Sequence, residues 1–377
     1  MRITTNAILR NYKSNLGASM SNLDIARTQV MTQRRFNSTM EDPSSALRAA
    51  VLNRKYARNE DYLNQVKDVQ SYQDAQEDGA MQISNIALTL NKQYGLEALN
   101  GTNGSRDTRL TYATAWRDAQ ESMVLSLNAS YEGKYVFAGS DGVTPPFRLA
   151  DIPVDPTKPD GDKKQVLLYR NVDVTTGELY TDKNELDTSD PILKESDPTK
   201  QKEAYQDRLK KLANDTSYVD LGFGLNISES ADKNGVTVED SSAFNISLPG
   251  IKLVGYDETA SGDNTKNMIL LMGEISNKLA AEEFDYEGYR ELLGTFDGQR
   301  NNVLQHVTTL GTKTEFLTTT KERLETNEIN LTTQIDNVVN IDMAEAIMNF
   351  SWAQYAYNAA LKVGNNILTP SFIDFMN

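Results

Sequence analysis

The longest periodic stretch of the chain is residues 286–338, which read YEGYRELLGTFDGQRNNVLQHVTTLGTKTEFLTTTKERLETNEINLTTQIDNV. One register of alternating three- and four-residue steps runs through it. Its members are Tyr286, Tyr289, Leu293, Phe296, Arg300, Val303, Val307, Leu310, Thr314, Leu317, Lys321, Leu324, Glu328, Leu331, Ile335 and Val338. A register kept for about seven heptads is typical of a coiled coil and long for a globular helix. The stretch predicts one long helix that packs along another.

The register slips by one residue after Val338. It resumes at Val339, Met343, Ala346, Phe350, Ala353, Tyr357, Ala360, Gly364 and Ile367. One helix face cannot keep the same partner across such a slip. We therefore expect a boundary between two packing environments near residue 339.

The prolines and the N-terminal heptads indicate how the rest of the chain is organised. Of ten prolines, eight lie between Pro145 and Pro249, and residues 44–144 and 250–369 contain none. Because proline breaks helix interiors, two long stretches are free to be helical around a different centre. Apolar residues also recur every seven residues in the first helix, at Leu9, Leu16, Leu23 and Val30. Asp42 and Pro43 suit the N-cap and first turn of a second helix, and a further helix is expected at 107–131.

The central segment has short β-prone runs, including 165–169, 218–227 and 244–248, and a helical pattern at 200–212. The pair Asn234-Gly235 is a hairpin signal. The predicted fold is mainly α with an inserted β domain, in which both chain ends form a long antiparallel coiled-coil bundle. The predicted parts are terminal assembly helices at 1–43 and 339–377, a helical rod at 44–147 and 266–338, and a mostly-β variable domain at 148–265.

Composition argues against several function classes. The chain has no cysteine, one histidine (His306) and a formal net charge of −15. Zinc sites that need two or three histidines therefore lack ligands, and a triad with His as base would depend on His306 alone. A nucleic-acid partner lacks surplus positive charge. We find no phosphate-binding loop, no membrane-length apolar run and no apolar core in the N-terminal 16 residues. We expect no catalysis, no metal, no cofactor, no nucleic acid and no membrane partner.

The two ends need partners to be stable helices. Ordering about 35 residues costs ~1–2 kcal/mol each, whereas each buried heptad side chain returns ~1.5–3 kcal/mol. Their charges are also opposite, since residues 1–40 hold six bases and one acid, and residues 336–377 hold four acids and one base. The ends are expected to pair with each other, with neighbouring copies, or with both.

Several motifs resemble the flagellin superfamily of axial proteins, and within it the family of hook-associated proteins at the hook–filament junction. They are Met1-Arg2-Ile3-Thr4, Glu41-Asp42-Pro43, Gly133-Lys134-Tyr135-Val136-Phe137-Ala138-Gly139-Ser140 closing on Pro145-Pro146-Phe147, Asn340-Ile341-Asp342-Met343-Ala344-Glu345-Ala346, and Ser371-Phe372-Ile373-Asp374-Phe375. The resemblance covers both ends, roughly 1–147 and 266–377. Glu41 replaces the Asp that opens the family's Asp-Asp-Pro motif.

The resemblance implies a secreted structural subunit that forms a ring of its own copies between hook-associated protein 1 and flagellin. It also implies export through the flagellar type III channel and a cytosolic export chaperone. The alternative is flagellin, the bulk filament subunit, against which the Gly133–Phe147 segment argues. The residues expected at the assembly interface are Ile3, Leu9, Leu16, Leu23, Val30, Phe350, Tyr357, Leu361, Ile367, Phe372 and Phe375.

Two further expectations concern behaviour. The ends should be mobile in the monomer and helical in the assembly, because neighbours would supply the other wall of the interface. The central domain should be dispensable for assembly, because its acidic and loop-rich composition suits an outward-facing module.

Overall fold

The computed structural model describes residues 5–99, 105–153, 163–229, 236–239, 242–256 and 265–368. The α-helices, in chain order, are α1 (Thr5–Thr32), α2 (Pro43–Thr89), α3 (Arg106–Leu127), α4 (Pro198–Ala213), α5 (Gly250–Val254), α6 (Met268–Ala280), α7 (Tyr286–Val339) and α8 (Met343–Leu368). A π-helical turn at Leu90–Gly95 continues α2, and 3-10 turns lie at Glu97–Leu99 and Pro191–Lys194.

The strands are short. They are β1 (Ser130–Tyr131), β2 (Lys134–Tyr135), β3 (Phe147–Pro153), β4 (Lys163–Tyr169), β5 (Val172–Asp173), β6 (Tyr218–Val219), β7 (Ile227–Glu229), β8 (Val236–Val238) and β9 (Phe244–Asn245). All described pairings are antiparallel: β1 with β2, β4 between β3 and β5, β6 with β9, and β7 with β8. The hairpin expected at Asn234-Gly235 is present as β7 and β8, and its turn lies outside the described residues.

The long helices follow the sequence periodicity. The predicted 286–338 register is the buried stripe of α7, with Val303, Leu310, Leu317 and Leu324 all buried. Helix α2 begins where expected, since the Asp42 carboxylate accepts a hydrogen bond from the Ser45 amide at 3.1 Å. Helix α3 ends four residues earlier than predicted, because Asn128 caps it.

Helices α2 and α7 run antiparallel. The Asn59 amide donates to the Leu324 carbonyl at 2.9 Å, and the Asn91 amide donates to the Asp297 carboxylate at 3.2 Å. Partner numbers on α7 therefore fall as those on α2 rise. The fold class predicted from the sequence, a flagellin-like helical bundle with inserted strands, is confirmed.

The chain divides into two compact units, residues 1–63 with 322–377 (unit 1) and residues 64–321 (unit 2). Unit 2 holds a large core to which the long helices contribute Ile83, Trp116 and Phe296. Unit 1 holds a small cluster of Ala49, Leu52 and Val338, with half-buried Phe36, Leu331, Ile335 and Val339 around it.

The central segment differs from the expectation of a separate, mostly-β domain. Its Tyr169, Leu209 and Ile251 belong to the same core as Trp116 and Phe296. It also contains α4, which has 16 residues, whereas its longest strands have seven. Strands β3 and β4 pack on α3 and α6, and their Ala150, Val166 and Leu168 form a separate small cluster with Tyr180. The boundaries predicted at 147 and 266 remain a proposal.

Candidate assembly interface

The terminal helices α1 and α8 pack against each other in unit 1. The predicted N-terminal stripe of Leu9, Leu16, Leu23 and Val30 is half-buried, and Ala26 is buried. On α8, the stripe that resumes after the register slip is the covered one, with Ala346 buried and Phe350 and Tyr357 half-buried. Both predicted stripes are therefore packing faces.

A tyrosine and a glycine fix the far end of this pair. The Tyr12 hydroxyl donates to the Ala360 carbonyl at 3.2 Å, although 348 positions separate the two residues. A Cβ atom placed on Gly364 would collide with the Tyr12 ring and hydroxyl. Gly364 thus forms the notch that admits Tyr12, a close approach that the small residues of the α8 stripe make possible.

The register slip is a break between α7 and α8. The Val339 carbonyl accepts from the Arg35 amide at 2.7 Å, and the Ile341 amide donates to the Gln33 carbonyl at 3.1 Å. The carboxylate of Asp342 then caps α8 by accepting from the Ala344 amide at 2.7 Å. The break in α7–α8 thereby lies beside the end of α1, and both chain segments change direction together.

Helix α8 also carries a second apolar stripe that faces away from α1. Met348, Trp352, Tyr355 and Val363 are 57%, 76%, 80% and 52% exposed. With 3.6 residues per turn, these positions lie on the side of the helix roughly opposite Ala346. Such a concentration of exposed large apolar side chains marks an interaction surface. We call these four residues the outer stripe.

The pairing of α1 and α8 is apolar. None of the ion pairs formed by described residues joins these two helices. The exposed α1 bases Arg10, Lys13 and Arg27 point away from the covered stripe. The opposite charges of the two ends, noted from the sequence, are therefore solvated here, and burial of the stripes holds the helices together.

The structure separates the eleven residues expected at the interface into groups. Leu9, Leu16, Leu23, Val30, Phe350 and Tyr357 lie in the α1–α8 pair, so they have a partner within the chain. Leu361 is 43% exposed, and Ile367 lies in the last turn of α8. Ile3, Phe372 and Phe375 lie outside the described residues. Contact of these eleven with neighbouring subunits remains a proposal.

Sequence reasoning missed the outer stripe. Its members stand at steps of four, three and eight residues, and Ala359 fills the last interval. That spacing was a usable signal. The register through Phe350 and Tyr357 already predicts α8 as a helix, so the apolar spacing on the opposite face adds nothing to that prediction.

The Gly133–Phe147 segment is a buried anchor. Gly133 occupies the β1–β2 turn with a φ of 77°. Val136, Phe137 and Ala138 are buried, and the Val136 carbonyl accepts from Tyr72 and Gln76 of α2. The Asn128 side chain closes the segment by exchanging two hydrogen bonds with the backbone of Phe147.

The other candidate sites, for catalysis, metal binding or membrane insertion, have little support. His306 is half-buried on α7, where burial first, and then the charge of Lys252, lowers its pKa. The described part of the chain brings together no group of three or more metal-ligating side chains. None of its helices is long and apolar enough to cross a membrane.

Comparison with known proteins places this geometry in a class. The profile of the bacterial flagellin C-terminal helical region matches residues 293–365, which span most of α7 and α8. The helical pair that carries the outer stripe is thus the flagellin-like part of the chain. The resemblance to the flagellin superfamily predicted from the sequence is confirmed over these residues.

Among solved structures, a putative flagellar hook-associated protein from Vibrio parahaemolyticus has a similar fold. The TM-score is 0.51 at 14% identity, over 80% of this chain and 100% of that one. Two crystal forms of FlgL from Xanthomonas campestris match at 14% identity, with TM-scores of 0.37 and 0.35, over 76% and 75% of this chain and 99% of theirs. No curated protein matches by sequence.

Proposed function

We propose that this chain is a structural subunit of the bacterial flagellum, an adaptor at the hook–filament junction that links hook-associated protein 1 to flagellin. The observation that carries the proposal is the outer stripe of α8. Trp352 and Tyr355 bury large apolar areas when covered, and aromatic residues are enriched at interface hot spots. The likeness in fold to a putative hook-associated protein and the flagellin profile over 293–365 support it.

In this proposal, terminal helices of neighbouring copies in a ring cover the outer stripe. The pair α1–α8 buries one face of each helix within the chain, which leaves the outer stripe for contacts between chains. Residues 1–43 and 339–377 are accordingly the assembly helices. Catalysis and a cofactor have no part in this role.

The test is incorporation into flagella. Trp352→Ser with Tyr355→Ser, expressed in a strain lacking the wild-type gene, should remove the protein from hook–filament junctions seen by immunogold electron microscopy. Tyr286→Ser is the matched control, because Tyr286 is 46% exposed outside the terminal pair. Normal junction labelling in the double variant, at normal protein levels, would contradict the role of the stripe. Wild-type label along whole filaments would contradict the junction itself.

Flagellin is the second candidate, because the matching profile is that of a flagellin region. The two roles differ in polymerisation. Purified flagellin extends from filament seeds into long filaments, whereas a junction protein adds a limited layer and stops. Seeded growth followed by light scattering and microscopy distinguishes them.

The proposal includes export through the flagellar type III channel and a cytosolic chaperone that covers the terminal helices beforehand. Exposed apolar side chains on α8 support a need for such a cover, since they favour association in the cytosol. In strains that lack the export apparatus, the protein should accumulate in cells and be absent from the medium. Secretion at wild-type levels in such strains would exclude this route.

A further inference from the structure

The contact face of α2 contains a regular apolar series that two polar residues interrupt. Every seventh residue is buried, and the series reads Leu52, Asn59, Val66, Gln73, Ala80 and Ala87. Two amides thus stand where a coiled coil normally has apolar residues. The Asn59 amide has a partner, the Leu324 carbonyl. Gln73 differs, as its surroundings show.

Gln73 is fully buried, and neither of its side-chain polar atoms has a hydrogen-bond partner. On α7, the hydroxyl of Thr314 is also buried without a partner. Native proteins pair nearly all of their buried polar groups, so two such orphans call for an explanation. Gln76, one turn further along α2, differs in that its Nε2 donates to the Val136 carbonyl at 2.6 Å, although its Oε1 also has no partner.

The two orphaned side chains lie at the same level of the antiparallel helix pair. The Gln70 amide of α2 is 3.5 Å from the Thr318 hydroxyl of α7. Because the helices are antiparallel, moving three or four residues along each from that contact leads to Gln73 and Thr314. Both belong to the facing stripes of the two helices.

We propose that Gln73 and Thr314 are a register key: they pair through one buried water, and this pairing helps to fix the axial position of α7 on α2. The apolar residues around them discriminate poorly between registers, since Val66 and Ala80 on α2 and Leu310 and Leu317 on α7 are all buried apolar side chains. The key therefore acts together with the polar contact between Asn91 and Asp297. A slip of one heptad would still match apolar residues with apolar residues. It would, however, place Gln73 against Val307 and Thr314 against Val66, leaving both buried polar groups without partners.

The test uses disulfide trapping, for which the cysteine-free full-length chain is a clean background. Gln70→Cys with Thr318→Cys reports the observed register, and Gln70→Cys with Gly311→Cys reports a slip of one heptad. Each reporter is combined with Gln73→Leu and Thr314→Val. The proteins are unfolded, refolded under mild oxidant and digested, and each cross-link is quantified by mass spectrometry.

We expect the 70–311 cross-link to rise at least about tenfold when both polar side chains become apolar, because the slipped register then leaves no buried polar group without a partner. The swapped pair Gln73→Thr with Thr314→Gln should return the slipped cross-link towards the wild-type level. Gln65→Leu with Thr319→Val, the same chemical change at exposed positions, should leave it unchanged.

The proposal is overturned if the apolar pair refolds with the slipped cross-link at the wild-type level. Should that double variant fail to fold by circular dichroism, the single Thr314→Val variant decides. It leaves Gln73 without its partner, so it must raise the slipped cross-link. An unchanged ratio there also overturns the proposal.

Discussion

The two units of this chain treat their aromatic residues in opposite ways. In unit 2, Trp116, Tyr289 and Phe296 are fully buried in one core. In unit 1, Trp352 and Tyr355 are 76% and 80% exposed, on a helix whose other face is already covered. Unit 2 therefore covers these aromatic side chains with residues of its own chain. In unit 1, the outward face of α8 is available to other molecules.

The largest expected effect comes from removing the central segment, residues 150–262. It was expected to be dispensable, but Tyr169, Leu209 and Ile251 are fully or almost fully buried in the unit 2 core. Each such side chain is worth ~2–5 kcal/mol when truncated. The deletion should abolish the cooperative thermal unfolding of unit 2, measured by circular dichroism.

The matched control removes only the β7–β8 hairpin, residues 227–238. Its Ile227 is 54% exposed, and Ser228 is exposed as well. That shorter deletion should retain a cooperative transition. A folded, cooperative protein after the full deletion would show that the long helices complete the core without the centre.

Breaking the buried ion pair of the central segment should have the next largest effect. Two nitrogens of Arg208 donate to the two carboxylate oxygens of Asp190 at 2.7 Å, and the carboxylate is 1% exposed. Asp190→Ala would leave the Arg208 charge unpaired, and we expect a loss of ~3–5 kcal/mol in the free energy of unfolding. Asp207→Ala, which breaks the exposed Asp207–Lys210 pair, should change it by under ~0.5 kcal/mol.

The same pair predicts a dependence on pH. Hydrogen bonding to Arg208 holds the pKa of Asp190 below its ordinary value. A carboxyl whose folded-state pKa is depressed contributes stability above its unfolded pKa and loses it as pH falls through the folded one. The stability difference between wild type and Asp190→Asn should therefore shrink in acid, as denaturant titrations at several pH values would show.

A smaller effect is expected at the notch in unit 1. Gly364→Ala collides with Tyr12 and should cost ~1–3 kcal/mol of the α1–α8 pairing. Hydrogen exchange in α1 and α8 should accelerate, while exchange in the unit 2 core stays as in wild type. Gly17→Ala on α1 has open space around it and should stabilise the helix by ~0.5–1 kcal/mol, the opposite sign. Equal effects of the two substitutions would show that the Gly364 notch does not stabilise the α1–α8 pair.

The smallest stability change is expected at the outer stripe. Trp352→Ser with Tyr355→Ser alters exposed side chains, so the free energy of unfolding of the isolated protein should change by no more than ~0.5 kcal/mol, as its thermal midpoint would show.

Hydrogen exchange also tests the expectation that the ends are mobile in the monomer: residues 5–35 should exchange faster than α7 residues 303–317. Slow exchange throughout α1 would mean that the pair is already rigid before assembly.

Much of the helical plan could be read from the sequence. The 286–338 register is the buried stripe of α7, and the slip after Val338 coincides with the break before Met343. Both follow from local periodicity, which depends only on residues within the same helix. The packing of the central segment could not be predicted in this way. A short apolar run such as Val166–Tyr169 indicates that the run is buried, but it does not indicate which element covers it.

The amino-acid sequence by itself determines where the helices lie, which face of each is apolar, and that no cysteine chemistry is available. Only the tertiary structure decided which of the two apolar faces of α8 is used inside the chain. Phe350 and Tyr357 alternate with alanines and Gly364, so that face alone permits the close approach of α1 and Tyr12. The bulky side chains of Met348, Trp352 and Tyr355 remain outside, because a helix of this diameter can present only one side to a single partner.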